Sequence, residues 1–250
     1  MFRHDGLTCR WLGYATARVS DGETTVYTDP GRYGVLAGEW DPPTDAAGEA
    51  HPVGPPYDAR DGDVVLVTHD HHYDPDGIER VASEDATVVV YENVDAERAG
   101  RPPAPEALPY EVVRVAEGET TEVAGVAVTA VPAYNRPDGP HVRADGEPVH
   151  PRGFGVGYRF VLGGVPAFWT GDSDHVPEQD DLDVSLLLPT ICGDVAMDDE
   201  GAAELAERLD PDLVSPIHYN TLEFLAADSG AFAGEVAKRG VPVVLDEGWD

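Results

Sequence analysis

Short apolar runs separated by turns rich in Gly, Pro and Asp extend along most of the chain. Residues 64–67 are continuously apolar, as in a strand that is covered on both faces. The runs at 155–162 and 165–170 flank Gly163-Gly164, a strong hairpin signal. Further strands are predicted over residues 7–20, 24–28, 86–91, 111–115, 126–131, 184–188, 213–217 and 241–245, and helices over residues 75–83, 200–209 and 229–239.

The order of these elements is β-rich, then βαβ, then β-rich, then βαβαβ. Two similar halves predict two sheets packed face to face with helices outside, a four-layer αββα sandwich of the α/β class. No linker divides the chain, so we expect a single domain over residues 1–250. Two segments rich in Gly and Pro, 31–62 and 136–153, are predicted to be loops that cover a pocket and set specificity.

Charge changes the picture of the solvent and of the partners. The chain carries 48 Asp and Glu against 16 Lys and Arg, for a net charge of -32. This composition favours a protein adapted to a salt-rich cytoplasm, and it disfavours long nucleic acids, whose phosphates require clustered cations. No apolar run reaches 18 residues and no signal peptide precedes the first strand, which predicts a cytoplasmic protein without a membrane span.

The most informative segment is His69-Asp70-His71-His72-Tyr73-Asp74, which directly follows the apolar run at 64–67. Neutral imidazoles are good ligands for zinc and similar metals. His69 and His71 lie two apart on an extended segment, so their side chains point to one side and can reach one metal. The alternative is a polar turn with local hydrogen bonds. Because three histidines fall within four positions, the metal site is favoured. Cys9 and Cys192 have no CxxC partner and predict no cysteine metal site.

Together with three further motifs, this segment resembles the metallo-β-lactamase superfamily, whose signature is H-x-H-x-D-H after a buried strand. The further motifs are Asp29 after a strand, Gly171-Asp172-Ser173-Asp174 after the hairpin, and Ile217-His218-Tyr219-Asn220-Thr221 at a late strand end. More specifically, the chain looks like the ascorbate-6-phosphate-lactonase-like subgroup and related metal-dependent hydrolases, in a haloarchaeal composition. The resemblance covers nearly the whole chain and implies the metallo-β-lactamase fold.

The resemblance also implies a metal centre with one or two Zn²⁺ ions, with Mn²⁺ or Fe as other candidates. His69 and His71 match the first two signature histidines. Asp172 matches an aspartate that bridges two metals in the family, and His218 matches the late histidine of the second site. Asp29 matches an early structural aspartate.

The chain departs from the signature at Tyr73 and Asp74, which stand where the family has Asp and His. Tyrosine is a poor zinc ligand because its phenol keeps its proton to about pH 10. Asp74 is a candidate metal ligand through a carboxylate oxygen, and a candidate catalytic acid toward the leaving group. Two alternatives stand beside this prediction: His72 turns inward to the second metal, or Asp74 caps the helix that begins near Pro75.

The third histidine of the first site is expected after the strand that ends at Ala133-Tyr134-Asn135, where Asn135 occupies the position of a histidine. In the resembling subgroup, Ala-Tyr-Asn is followed by a loop and a His-Pro-Lys/Arg-Gly segment. That segment is here His150-Pro151-Arg152-Gly153. We therefore predict His150 as the third ligand, with His141 of the same loop as its competitor.

These residues predict a zinc hydrolase in which a metal-bound hydroxide attacks a small polar ester, lactone or phosphoester. The substrate class follows from the resemblance alone. A phosphodiesterase or nuclease-type hydrolase is the second hypothesis, and a non-catalytic metal-binding scaffold with a degenerate second site is the third. The expected partner is a small molecule, and a homo-oligomer is compatible with the sequence.

Overall fold

The computed structural model describes residues 1–31 and 57–248. Its first sheet has seven strands in sequence order. The first four pair antiparallel and the last four pair parallel, so the fourth strand belongs to both patterns. The strands are β1 (Phe2–His4), β2 (Leu7–Trp11), β3 (Ala17–Ser20), β4 (Thr25–Thr28), β5 (Gly62–Val67), β6 (Ala82–Tyr91) and β7 (Glu111–Val115).

The second sheet has six strands in the order β13-β12-β11-β10-β9-β8. The first four of these strands along the chain pair antiparallel, whereas β11, β12 and β13 pair parallel. The strands are β8 (Thr120–Val123), β9 (Val126–Ala133), β10 (Gly155–Leu162), β11 (Val165–Trp169), β12 (Leu186–Leu188) and β13 (Leu213–Val214).

Among residues 1–31 and 57–248, three α-helices accompany the sheets, and an aspartate caps the N-terminus of each. They are α1 (Pro75–Val81), α2 (Asp199–Leu209) and α3 (Ser229–Lys238), capped by Asp74, Asp198 and Asp228. Such a cap accepts hydrogen bonds from backbone N–H groups that have no partner within the helix. α1 lies against β5, and α2 packs on α3.

One hydrophobic cluster contains side chains from both sheets, including Val65 and Val89 of the first sheet and Phe160 and Leu187 of the second. The two sheets therefore pack face to face, and the predicted αββα arrangement is confirmed in its two central layers. β5 and β12 are buried almost throughout because both faces are covered, whereas β2 alternates between buried and half-buried positions.

Most predicted elements are confirmed, with differences at their ends. The predicted helix 75–83 stops at Val81 because Ala82 already begins β6, which pairs parallel with β5. The predicted strand 241–245 is reduced to a single bridge between Val214 and Val243. The predicted segment 7–20 is divided into β2 and β3, and neither β1 nor β8 was predicted. Most of the predicted loop 31–62, namely residues 32–56, lies outside the described residues. No helix among the described residues is long and apolar enough to cross a membrane.

The pairing places chemistry-bearing residues at one edge of the sandwich. Asp29 follows β4, His69 follows β5 and Asp172 follows β11. His218 comes after β13, beyond the bridge between Thr190 and Ile217. Because the carboxyl ends of parallel strands meet at one edge, residues of both sheets come together there.

Candidate metal centre

Six side chains converge where these strand ends meet. The ligand atoms of His69, His71 and His150 lie within 4.8 Å of one another, and so do those of His69, His72 and Asp172. The sixth is His218, whose Nε2 lies 3.0 Å from His72 Nε2 and 3.6 Å from Asp172 Oδ1. The first sheet supplies His69, His71 and His72 after β5. The second sheet supplies His150, Asp172 and His218.

A single 3₁₀ turn, Asp70–His72, decides which histidines face the centre. The His72 N–H donates to the His69 carbonyl at 3.2 Å, and the Tyr73 N–H donates to the Asp70 carbonyl at 3.2 Å. This turn brings His72 round to the same side as His69, where it is 2% exposed. His71 lies at the solvent-exposed edge of the group, so any ligand from solvent would approach along His71.

Asp29 holds the histidines of the first sheet in place. Its Oδ1 accepts the Thr68 N–H at 2.8 Å. Its Oδ2 accepts the Thr68 hydroxyl at 2.8 Å, Trp169 Nε1–H at 2.7 Å and His72 Nδ1–H at 3.1 Å. Trp169 belongs to β11, so this buried carboxylate joins both sheets beside the centre.

These hydrogen bonds fix the tautomers of two histidines. Because His72 Nδ1 donates to Asp29, His72 Nε2 keeps its lone pair toward His218. The Thr68 hydroxyl donates its single proton to Asp29. It can therefore only accept from His69, and His69 Nδ1–H donates to it at 2.9 Å. His69 Nε2 therefore also presents a lone pair, and it lies 3.6 Å from Asp172 Oδ2. Such oriented imidazoles are typical of metal ligands.

Burial and the neighbouring histidines set the charges of the centre. Burial, followed by the nearby imidazoles, lowers the pKa of His69 and brings that of His71 to about 3. Burial also lowers the pKa of His150. Burial alone would raise the pKa of Asp172, but the histidines, led by His218, lower it to about 2. Burial alone would lower the pKa of His218, but the Asp172 carboxylate and Cys192 together outweigh burial and raise this pKa to about 9.

The donor set fits a divalent metal such as zinc. His69 Nε2 and Asp172 Oδ1 are buried and have no hydrogen-bond partner among the described residues. Buried polar atoms without a partner are costly, and a cation would satisfy both. Several imidazoles and one carboxylate are the ligands that zinc and related metals take in proteins.

Aromatic side chains and strained backbone support the centre. The Tyr14 ring lies 4.7 Å from His218 and 5.1 Å from His72, between ring centroids. The Phe154 ring lies 5.0 Å from His71 on the exposed side. Tyr14, Asp29 and His218 all have positive φ, at 51°, 35° and 63°. For residues other than Gly, each such conformation costs about 1–3 kcal/mol, and such strain tends to gather at functional sites.

The structure corrects the sequence-based assignment of Asp74. Its Oδ1 accepts the N–H groups of Asp76 at 3.1 Å and Gly77 at 3.3 Å, as the N-cap of α1. Asp74 does not belong to the groups of candidate ligands found among the described residues. The Asp-Pro sequence begins a helix here, and it is His72, not Asp74, whose ligand atom lies near those of His69 and Asp172.

The structure also separates His150 from its competitor His141 and shows where Asn135 lies. His150 lies with His69 and His71. His141 instead contacts the Asp174 carboxylate through Nδ1 and the Gly193 carbonyl through Nε2 at 2.8 Å. Asn135 faces His150 and accepts the His150 N–H at 2.7 Å.

Comparison with known proteins agrees with this geometry. The β-lactamase superfamily domain matches residues 8–218. The chain belongs to the metallo-β-lactamase superfamily. UPF0173 metal-dependent hydrolases of Thermococcus kodakarensis and Pyrococcus abyssi are each 30% identical to it. These matches cover 75% of this chain and 80% of the first relative, and 80% of this chain and 86% of the second.

A shorter match, to the UPF0173 protein of Thermococcus onnurineus, is 32% identical over 51% of this chain and 56% of that relative. Among solved structures, a metallo hydrolase from Ignicoccus hospitalis superposes with a TM-score of 0.66 at 18% identity, covering 96% of this chain and 94% of that one. At that identity the likeness shows the fold alone. The metallo-β-lactamase fold protein YhfI of Bacillus subtilis also superposes, with a TM-score of 0.60 at 12% identity, covering 93% of this chain and 88% of that one, and it confirms the metallo-β-lactamase fold.

One basic side chain that the sequence analysis did not single out, Arg98, lies near the exposed His71 side of the candidate metal centre. Arg98 forms an ion pair with the buried Asp70, and its guanidinium carbon lies 5.9 Å from the centre of the Phe154 ring. Arg98 is half exposed, whereas Asp70 is 2% exposed. Arg98 also donates to the nearby Asn93 carbonyl at 2.5 Å, but Asp70 and Phe154 come from two other segments of the chain, so no local sequence pattern marks this cation.

Proposed function

We propose that this protein is a metal-dependent hydrolase whose first metal is held by His69, His71 and His150. His72, Asp172 and His218 hold the second, and Asp172 lies between the two groups. The observation that carries the proposal is the inward orientation of the ring nitrogens around Asp172, whose Oδ2 is 3.6 Å from both His69 Nε2 and His150 Nε2. Zinc is the proposed ion, and Mn²⁺ or Fe are the alternatives.

When bound, such an ion makes water a stronger acid and polarises the carbonyl or phosphoryl group of a substrate. The chain's own residues prepare the site for it. Asp29 and Thr68 keep the lone pairs of His69 and His72 turned inward. Asp172 keeps a negative charge among the imidazoles, because they hold its pKa at about 2.

The proposed substrate is a small polar ester, lactone or phosphoester. Two features support this class: the resemblance to ascorbate-6-phosphate-lactonase-like proteins, and the guanidinium of Arg98, which adjoins Phe154 at the exposed edge. Long nucleic acids are disfavoured by the net charge of -32. The non-catalytic scaffold is disfavoured because His72 completes the second group of ligands. A single domain, a cytoplasmic location, adaptation to high salt and assembly as a homo-oligomer remain proposals from the sequence.

Metal analysis of the purified protein tests the site. We expect the His69→Ala/His71→Ala double variant to lose the first metal, and His72→Ala to lose the second. His175→Ala is the matched control, because the His175 ring contacts Asp180 at 2.6 Å instead. Wild-type metal content in both ligand variants would refute the assignment.

A hydrolysis screen in high salt tests the activity. The probes are p-nitrophenyl phosphate, bis-p-nitrophenyl phosphate and a set of small lactones. We expect turnover of a lactone or monoester that the double variant does not catalyse. Turnover of the diester alone would favour the phosphodiesterase hypothesis. Full metal loading without turnover of any probe would favour the scaffold.

A further inference from the structure

The loop that carries His150 is closed at its base by Asn135. Asn135 follows β9, and His150 shortly precedes β10. The Asn135 N–H donates to the His150 carbonyl at 2.8 Å, and the His150 N–H donates to Asn135 Oδ1 at 2.7 Å. The asparagine side chain thus completes a two-bond pairing between residues 15 positions apart, one bond from its backbone and one from its amide.

The same amide reaches the acceptor that orients the His150 ring. Asn135 Nδ2 donates to the Val195 carbonyl at 3.1 Å, and His150 Nδ1 lies 3.1 Å from that oxygen. A carbonyl oxygen can only accept, so His150 Nδ1 carries a proton. His150 Nε2 therefore keeps its lone pair, and it lies 3.3 Å from His71 Nδ1 and 3.6 Å from Asp172 Oδ2.

The orientation of the Asn135 amide is determined by its partners. Its second donated bond, also 3.1 Å, goes to Asp174 Oδ1. Asp174 is itself held by the Arg136 N–H at 2.8 Å and by His141. A flipped amide would turn its NH₂ group toward the His150 N–H and its oxygen toward two acceptors, so only one orientation satisfies every group. Asn135 is fully buried, so water does not compete for these bonds.

We propose that Asn135 is a positioning residue for His150. It closes the loop through Oδ1, and through Nδ2 it holds the Val195 carbonyl where that oxygen fixes the tautomer and the direction of the His150 ring. The inference rests on the proposed function in one respect, that His150 is taken as a metal ligand. Asn135, which stands where the family resemblance places a histidine, thereby supports His150, the histidine predicted to serve instead.

Asn135→Asp is the decisive variant. It keeps the oxygen that accepts the His150 N–H, so the loop can still close, and it replaces the donor that faces Val195 and Asp174 with an acceptor. A residue that only closes the loop would tolerate this change. A residue that orients the ring through its donor would not. Asn135→Ala removes both functions, and Tyr134→Phe is the matched control because it removes only the neighbouring hydroxyl, which contacts Glu178.

The first measurement is the ¹⁵N spectrum of the imidazoles in metal-free protein, with the His150 signals assigned by their loss in His150→Ala. We expect the wild type and Tyr134→Phe to show one tautomer, protonated at Nδ1. We expect Asn135→Asp to show a mixed or inverted population in a folded protein. Unchanged ring signals in Asn135→Asp would overturn the proposal.

The second measurement is a Zn²⁺ titration followed on the same ring signals. Removing a residue that supports a metal ligand lowers metal affinity by about 10- to 100-fold. We expect this decrease in Zn²⁺ affinity in Asn135→Asp and Asn135→Ala but not in Tyr134→Phe. Wild-type affinity in both Asn135 variants would overturn the proposal. If instead His150→Ala binds Zn²⁺ with wild-type stoichiometry, the ligand assignment of the proposed function fails, while the metal-free spectrum still decides the role of Asn135.

Discussion

Replacing Asp29 by Asn should lower the stability of the protein by an amount that its hydrogen bonds define. Four buried donors meet this carboxylate, one at Oδ1 and three at Oδ2. The less costly orientation of the amide puts its NH₂ group at the Oδ1 position, against the Thr68 N–H, and keeps the three bonds at Oδ2. The Thr68 N–H then loses its acceptor and faces the new NH₂ group, whose own donors gain no acceptor there. The unpaired Thr68 N–H alone costs about 1–3 kcal/mol.

For a chain of this length, 1 kcal/mol lowers the melting temperature by about 2–4 °C, so the lost Thr68 bond alone should lower the melting temperature of Asp29→Asn by about 2–12 °C. Asp29→Ala leaves all four donors without this acceptor and should exceed the upper end of that range. Asp63→Asn is the control, because Asp63 is half-buried and its carboxylate accepts a hydrogen bond from the Thr25 N–H at 2.8 Å.

Scanning calorimetry of metal-free protein in high salt measures these shifts without any contribution from a bound ion. A melting temperature of Asp29→Asn within 1 °C of the wild type would refute the reasoning about unpaired donors. So would a larger shift in Asp63→Asn than in Asp29→Asn.

Three further predictions concern other parts of the molecule. Gly77→Ala should destabilise the protein although alanine favours helices, because a Cβ there would lie 2.3 Å from the Pro30 carbonyl oxygen. Gly234→Ala, with open space around it in α3, should instead stabilise the protein by up to about 1 kcal/mol. Urea unfolding of both variants measures whether the free energy of unfolding falls in the first and rises in the second. Burial raises the pKa of Cys9 to about 12, and Cys192 is 2% exposed, so mass spectrometry should show neither thiol alkylated at pH 8 before unfolding. Raising KCl from 0.1 M to about 3 M should raise the melting temperature, because salt screens the net charge of -32, and a falling value would contradict this expectation.

The sequence allowed the places of the strand-end residues to be predicted, because His69, Asp172 and His218 each come after an apolar run and parallel strands bring such ends to one edge. The roles of Asp172 and His218 as candidate ligands came from the family resemblance. His150 required that resemblance even for its place, since no periodicity marks the return of a long loop.

The sequence offered both His72 and Asp74 as candidates, but spacing alone did not decide which of them faces the centre. That choice depends on one 3₁₀ turn and on Asp29, which lies 43 positions before His72 in the sequence. The competing role of Asp74 was visible as an Asp-Pro helix start, and the two N–H groups at the beginning of α1 decide in its favour. β1 is short and only partly buried, so its pattern does not differ from that of a polar terminus.

The division of the six side chains between the two sheets has a consequence for the lifetime of the protein in a cell. Neither sheet alone presents a complete set of ligands, so an ion that binds there binds only when the sheets are docked. At a free concentration 1,000 times its dissociation constant, such an ion adds about 4 kcal/mol to the docked state. Under the proposed function, metal scarcity would therefore leave more chains open to proteases, and supply of the metal would regulate the abundance of the enzyme as well as its activity.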